Sequence, residues 1–145
     1  MKEQINLPDS LSEKVKAIFL LKITANWLDS VGNDILKPFQ ITIQQYNILR
    51  ILRGAGESLT VQTVKERMIE RSPNATRLMD KLISKKLIDR TRCKNDRRVV
   101  YVKINKNGLA LLHKIPIENY KESLNILTDE ESKILNNLLL RINQN

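Results

Sequence analysis

The chain has 145 residues, 41% of them hydrophobic and 28% charged, with a formal net charge of +9 at pH 7. That is enough apolar material for one folded domain and excludes a disordered chain, while 4% aromatics with four glycines and four prolines speak against an all-β sandwich. Between Thr60 and Asn105, thirteen Lys and Arg stand against five Asp and Glu, so almost the whole excess charge lies in one central segment, as in a polyanion-binding surface.

Ser10 or Ser12 can cap a first helix. Val15, Ile18, Phe19, Ile23, Trp27, Val31 and Ile35 then recur at steps of three and four, and Leu20, Leu21 and Leu28 widen the stripe. A stripe this broad predicts burial of more than one face, against the domain and against a second subunit. Lys37-Pro38-Phe39 ends the helix, because the residue before proline disfavours it. Thr42 and Gln45 have capping-box spacing. The helix they open buries Ile43, Tyr46, Ile48, Leu49 and Leu52 and closes at Gly54-Ala55-Gly56. Thr60 caps a short helix with Val61, Val64 and Met68 inward. Ser72-Pro73 predicts the next helix start, with Ser72 as N-cap and Pro73 in the first turn. That helix buries Leu78, Met79, Leu82 and Ile83.

Residues 87–93 predict a strand, and residues 99–104 a clearer one, since Val100, Val102 and Ile104 alternate with Val99, Tyr101 and Lys103. Lys94-Asn95-Asp96 supplies the turn of a two-stranded wing. Asn105 can cap a helix carrying Leu109, Leu112, Ile115, Tyr120 and Leu124, which Pro116 should kink or split. Thr128 and Glu131 form a second capping box. Ile134, Leu135, Leu138, Leu139 and Ile142 make the last apolar face.

This order predicts a mainly α fold with a small β-hairpin: a winged helix-turn-helix flanked by N- and C-terminal dimerisation helices. The single domain spans 1–145, with a DNA-binding lobe over 41–105 and a helical dimerisation region over 1–39 and 106–145. Ile18, Leu21, Leu124, Leu135, Leu138, Leu139 and Ile142 are the expected dimer contacts, because so small a lobe cannot cover them all.

The residues that open the second helix of such a motif reach base edges in the major groove. Here they are Ser72, Pro73, Asn74, Thr76 and Arg77. Asn74 suits adenine, Arg77 suits guanine, and Lys81 one turn on suits a phosphate. Arg97 and Arg98 at the hairpin tip suit a narrow minor groove, and Asp96 is expected to hold an arginine by a carboxylate–guanidinium contact. Thr60, Gln62 and Arg90 complete the expected contact set. The same polar residues also fit an ordinary solvated surface.

Asp96-Arg97-Arg98 followed by Val100-Tyr101-Val102-Lys103-Ile104 resembles the wing signature of MarR-family regulators. The run from Thr76 to Leu82, then Lys85-Lys86-Leu87-Ile88, resembles that family's recognition helix and its exit, and the run from Lys106 to Leu112 resembles the helix after the wing. The resemblance implies a homodimer on a pseudo-palindromic operator of double-stranded DNA, usually repressing transcription. It implies Arg98 in the minor groove and Asp96 supporting the wing. It also implies a small phenolic or lipophilic effector bound between the dimer helices and the winged lobe, with no cofactor. Trp27, Tyr46 and Tyr120 can line such a pocket, or serve as plain core. The family usually has glycine where this chain has Lys86, so a strained or shifted helix end is expected there. Its peroxide sensors carry a cysteine near the start of the first helix. Here Cys93 lies in the wing and is read as an inert thiol.

An enzyme finds little support. His113 is the one histidine, so one chain offers no histidine pair for a metal, and no glycine-rich phosphate loop appears. The remaining alternative is a winged-helix protein-interaction module without specific DNA binding. Residues 1–10 lack the apolar core of a secretory signal, and the run 17–21 is too short to span a bilayer, so no membrane partner and a cytoplasmic location are expected.

Overall fold

The computed structural model describes residues 5–69 and 73–144. Helix α1 (Glu13–Leu36) starts at the Ser12 cap and runs into a 3₁₀ turn, Lys37–Phe39. Helix α2 (Ile43–Ala55) opens on the Thr42–Gln45 capping box and ends at Gly56 with φ +69°. Strand β1 (Leu59–Thr60) leads into α3 (Val61–Arg67), capped by the Thr60 hydroxyl, and α4 (Ala75–Ser84) follows. Strands β2 (Ile88–Arg92) and β3 (Val100–Ile104) form the hairpin. Then come α5 (Lys106–Lys114), α6 (Glu118–Lys121) and α7 (Asp129–Asn143), the last opening on the Thr128–Glu131 capping box.

The core lies where α2, α3, α4, the sheet and α5 meet. Ile48, Leu49, Leu52, Val64, Met79, Leu82, Ile88 and Val102 are almost fully buried there, joined by Leu112 and Ile115. Ile48, Leu49, Leu52, Val64, Met79 and Leu82 come from faces predicted to point inward, and the helical repeats of α2 and α4 interlock there with the alternating side of β3. Asn33 on α1 accepts a 3.0 Å hydrogen bond from the Ile43 amide and so fixes the long helix to the start of α2.

Two expectations need correction. The sheet has three strands in the order β1-β3-β2, with Leu59 opposite Val102 and Thr60 opposite Tyr101; a two-residue strand is too short to leave a period in the sequence. Helix α4 begins at Ala75 with Asn74 at the N-cap, and Pro73 sits in the turn before it. Ala75 is fully buried and seats the first turn against the core; Ser72, the expected N-cap, lies outside the described residues. The split expected at Pro116 also forms, placing Tyr120 on α6 and Leu124 in the 3₁₀ turn Glu122–Leu124.

The terminal helices leave much apolar surface uncovered. No residue of α7 is buried, and only Gly32 and Leu36 of the 24 in α1 are. Ile18, Leu21, Leu124, Leu138 and Ile142 are exposed, with Leu135 and Leu139 half-buried. The accessible surface is 11399 Å², against about 7,700 Å² for a compact monomer of this mass.

Candidate nucleic-acid interface

Because Ala75, Met79 and Leu82 are buried in the core, the spacing of a helix turns the opposite side of α4 to solvent. Thr76, Arg77, Asp80, Lys81 and Ser84 are exposed along it, with Pro73 and Asn74 exposed at its start. The hairpin stands beside this face. Thr60, Gln62, Thr76, Arg90 and Arg98 line one cleft of about 400 Å³, floored by Met79, Ile83 and Val102. Five expected contact residues, from α3, α4 and both sides of the hairpin, are thus brought to one place. Arg77, Lys81 and Arg97 are exposed outside its walls.

Local bonds decide how free each group is. The Thr60 hydroxyl accepts from the Thr63 amide at 3.0 Å and lies 2.8 Å from the Thr63 hydroxyl, so it is occupied as a helix cap. Gln62 donates to the Glu66 carboxylate at 2.9 Å. Arg90 pairs with Asp80 at 3.3 Å, linking the hairpin to the outward face of α4. The pair is exposed, so it adds little stability, but it fixes two groups on the candidate surface. Asp80 was not among the expected site residues; it lies ten positions from Arg90, and nothing local in the sequence signals the contact.

The wing turn closes through the Cys93 amide on the Val99 carbonyl and the Val99 amide on the Asp96 carbonyl, both at 3.0 Å. Among the described residues, Asp96 forms no carboxylate–guanidinium contact of the kind expected. Its Oδ1 accepts from the Arg98 backbone amide at 2.9 Å, the local turn bond for which aspartate is suited. The carboxylate therefore orders the backbone beneath Arg98 and leaves the guanidinium exposed. Cys93 is half-buried and forms no disulfide.

The junction between α4 and β2 shows the strained helix end expected at Lys86. Lys86 adopts φ +57°. Its amide bonds Ile83 O at 2.8 Å and the Leu87 amide bonds Leu82 O at 3.0 Å, the paired bonds of a left-handed helix end. Lysine has a Cβ that glycine lacks, and this conformation costs it about 1 kcal/mol. Lys85 Nζ donates to the Gln40 carbonyl, tying the same end to the start of α2.

Trp27 is exposed on α1 and Tyr46 belongs to the core. Tyr120 is half-buried, with its ring edge 3.4 Å from where a Cβ on Gly32 would stand. Burial first, and then the Asp29 carboxylate, pushes its phenol pKa above the ordinary tyrosine value. A smaller cleft of about 200 Å³ lies between α1 and the winged lobe, lined by Ala25, Asp29, Ile43, Asn47, Met68 and Ile69 among others. Neither cleft has Trp27, Tyr46 or Tyr120 in its wall. Among the described residues, no cluster of His, Cys, Asp and Glu could hold a metal ion, and no helix is long and apolar enough to cross a membrane.

A family model described as transcriptional regulator SarA/Rot matches residues 30–115. The chain is 32% identical over 118 residues to the multiple antibiotic resistance protein MarR of Salmonella typhimurium, covering 79% of this chain and 81% of that protein. It is 28% identical over 130 residues to the HTH-type transcriptional regulator SarZ of Staphylococcus aureus, covering 88% and 86%. Among solved structures, a mutant MarR from E. coli complexed with operator DNA superposes with a TM-score of 0.81 at 27% identity, over 93% of this chain and 99% of that one.

Proposed function

The chain belongs to the MarR family of winged-helix transcriptional regulators, and from that premise we propose how it engages DNA. It acts as a homodimer on a pseudo-palindromic operator, with α4 of each protomer in the major groove and Arg98 of each wing in the adjacent minor groove. Its action there is repression. The observation that carries this reading is the shared cleft: Thr76 of α4 and Arg98 of the wing turn line one concave surface, with Arg77 and Lys81 exposed on the same helix. A groove-sized helix beside a basic hairpin can follow two grooves of one duplex.

The homodimer is supported by the uncovered faces of α1 and α7 and by the excess of accessible surface. An interface between two copies removes that surface with one two-fold operation. A small phenolic or lipophilic effector is the finer part of the proposal. The cleft between α1 and the winged lobe supports it, and its occupant would release DNA by preferring a spacing of the two α4 helices that misfits the grooves. If no phenol or lipophilic compound shifts the melting temperature or displaces DNA, the effector reading fails for those compounds.

Selection from a randomised duplex pool tests the arrangement. The expected product is a two-fold symmetric site with half-sites about one helical turn apart, roughly 10 bp. Absence of any enriched sequence, with tight capture of a protein partner instead, would replace this reading by a protein-interaction module.

A further inference from the structure

The angle between α4 and the wing is set at one corner, and that corner is held from outside. The Lys86 peptide lies in the left-handed region, where lysine has no intrinsic preference to stay. Two side-chain amides, from Asn105 just after β3 and Asn107 in the first turn of α5, converge on its carbonyl oxygen. Asn105 Nδ2 donates at 3.1 Å and Asn107 Nδ2 at 3.2 Å, which uses both lone pairs of that oxygen. Asn105 Nδ2 also reaches Asp89 Oδ1 at 3.1 Å, on β2 immediately beyond the corner. The Asn105 backbone amide donates to the Leu87 carbonyl at 3.2 Å.

None of these donor contacts is needed to start α5. The cap is made by the other end of the same side chain, Asn105 Oδ1, which accepts from the Gly108 amide at 3.1 Å. Serine supplies an equivalent cap. The amide donors therefore do something else: they fix the peptide about which β2, and with it the Asp96–Arg98 turn, would swing relative to α4.

We propose that Asn105 and Asn107 are positioning residues for DNA binding. By clamping the Lys86 carbonyl they hold α4 and the wing at the angle that lets Arg77 and Arg98 meet one duplex together. This rests on the placement of α4 and Arg98 proposed above. A merely stabilising role would lower the melting temperature without changing which side chains reach DNA.

The test is a double-mutant cycle on the full chain, using a labelled duplex enriched by the wild-type protein from a randomised pool. Affinity and its salt dependence are measured for wild type, Arg98→Ala, Asn105→Ser/Asn107→Ala and the combination, with melting temperatures alongside. The clamp variant keeps the cap oxygen and loses the donors. It is expected to lose about as much affinity as Arg98→Ala, roughly tenfold, with a salt slope shallower by about one unit per wing. Adding Arg98→Ala to it should then change little, because the arginine is already displaced. A full, additive loss from Arg98→Ala in the clamp background, or unchanged binding and slope in the clamp variant, overturns this inference alone. If the wild type enriches no duplex, or Arg98→Ala is silent in the wild-type background, the proposed DNA arrangement fails and this inference falls with it. Should the double variant not fold, Asn107→Ala, which touches no cap, must show the same loss and the same non-additivity.

Discussion

Leu138→Asp should convert the homodimer into a monomer with a poorly formed last helix. In the single chain α7 has no buried residue among its 15, and Leu138 is 48% exposed on its apolar face. An isolated helix of this length is marginal in water, and in the proposed homodimer packing against a second copy supplies the burial that α7 lacks in one chain. Fully burying a leucine contributes about 1.5–3 kcal/mol. Association covers only the half that the single chain leaves exposed and the two-fold axis duplicates the change, so the loss is about 1.5–3 kcal/mol of association energy, or roughly 10–10² in the dimer dissociation constant. The carboxylate adds its own desolvation cost to that figure. Sedimentation equilibrium over a micromolar concentration series reads the dissociation constant directly, and far-ultraviolet circular dichroism follows the helix. A wild type that stays monomeric throughout the series, or a Leu138→Asp protein that dimerises as tightly as wild type, refutes the reasoning.

Gly108→Ala should lower the denaturant midpoint by about 1–3 kcal/mol of stability, since its Cβ would press on the Leu87 carbonyl oxygen and lie 2.7 Å from Ile104 Cγ1; an unchanged midpoint would mean that α5 can lift off the hairpin base freely. Asp96→Ala removes the acceptor for the Arg98 amide on an exposed turn. DNA binding should weaken while the melting temperature holds within a degree or so, and equal affinity would show that Arg98 needs no ordered backbone. Arg77→Ala should cost about 1–3 kcal/mol on the preferred duplex and little on random sequence. A uniform loss on both, measured by competition binding, would assign Arg77 to a phosphate.

What was legible in the sequence was local. The capping boxes at Thr42 and Thr128 are read from residues three apart, and both form. The alternation through Val100, Val102 and Ile104 is a period of two, and β3 takes it. Pro116 cannot continue a helix, and the helix stops before it. What escaped was long-range. Strand β1 exists because Leu59 and Thr60 find β3 across more than forty residues, and two residues carry no period. The N-cap of α4 is Asn74 and not Ser72, a choice that rests on the burial of Ala75 against the core. The partner of Asp96 proved to be a backbone amide two residues on, where charge alone pointed to a guanidinium. Lys86 was legible as a misfit at a glycine-like corner. The two asparagines that hold it lie 19 and 21 positions away and carry no signal without the fold.

The most direct test of sequence-specific DNA binding is fluorescence anisotropy of the purified protein on duplexes from its own upstream region, with random duplex as control, across a salt series. Saturable binding at dimer stoichiometry, a preference for one duplex and a steep salt slope are the expected result. Weak binding, equal on both duplexes, would contradict specific recognition by α4 and the Arg98 wing.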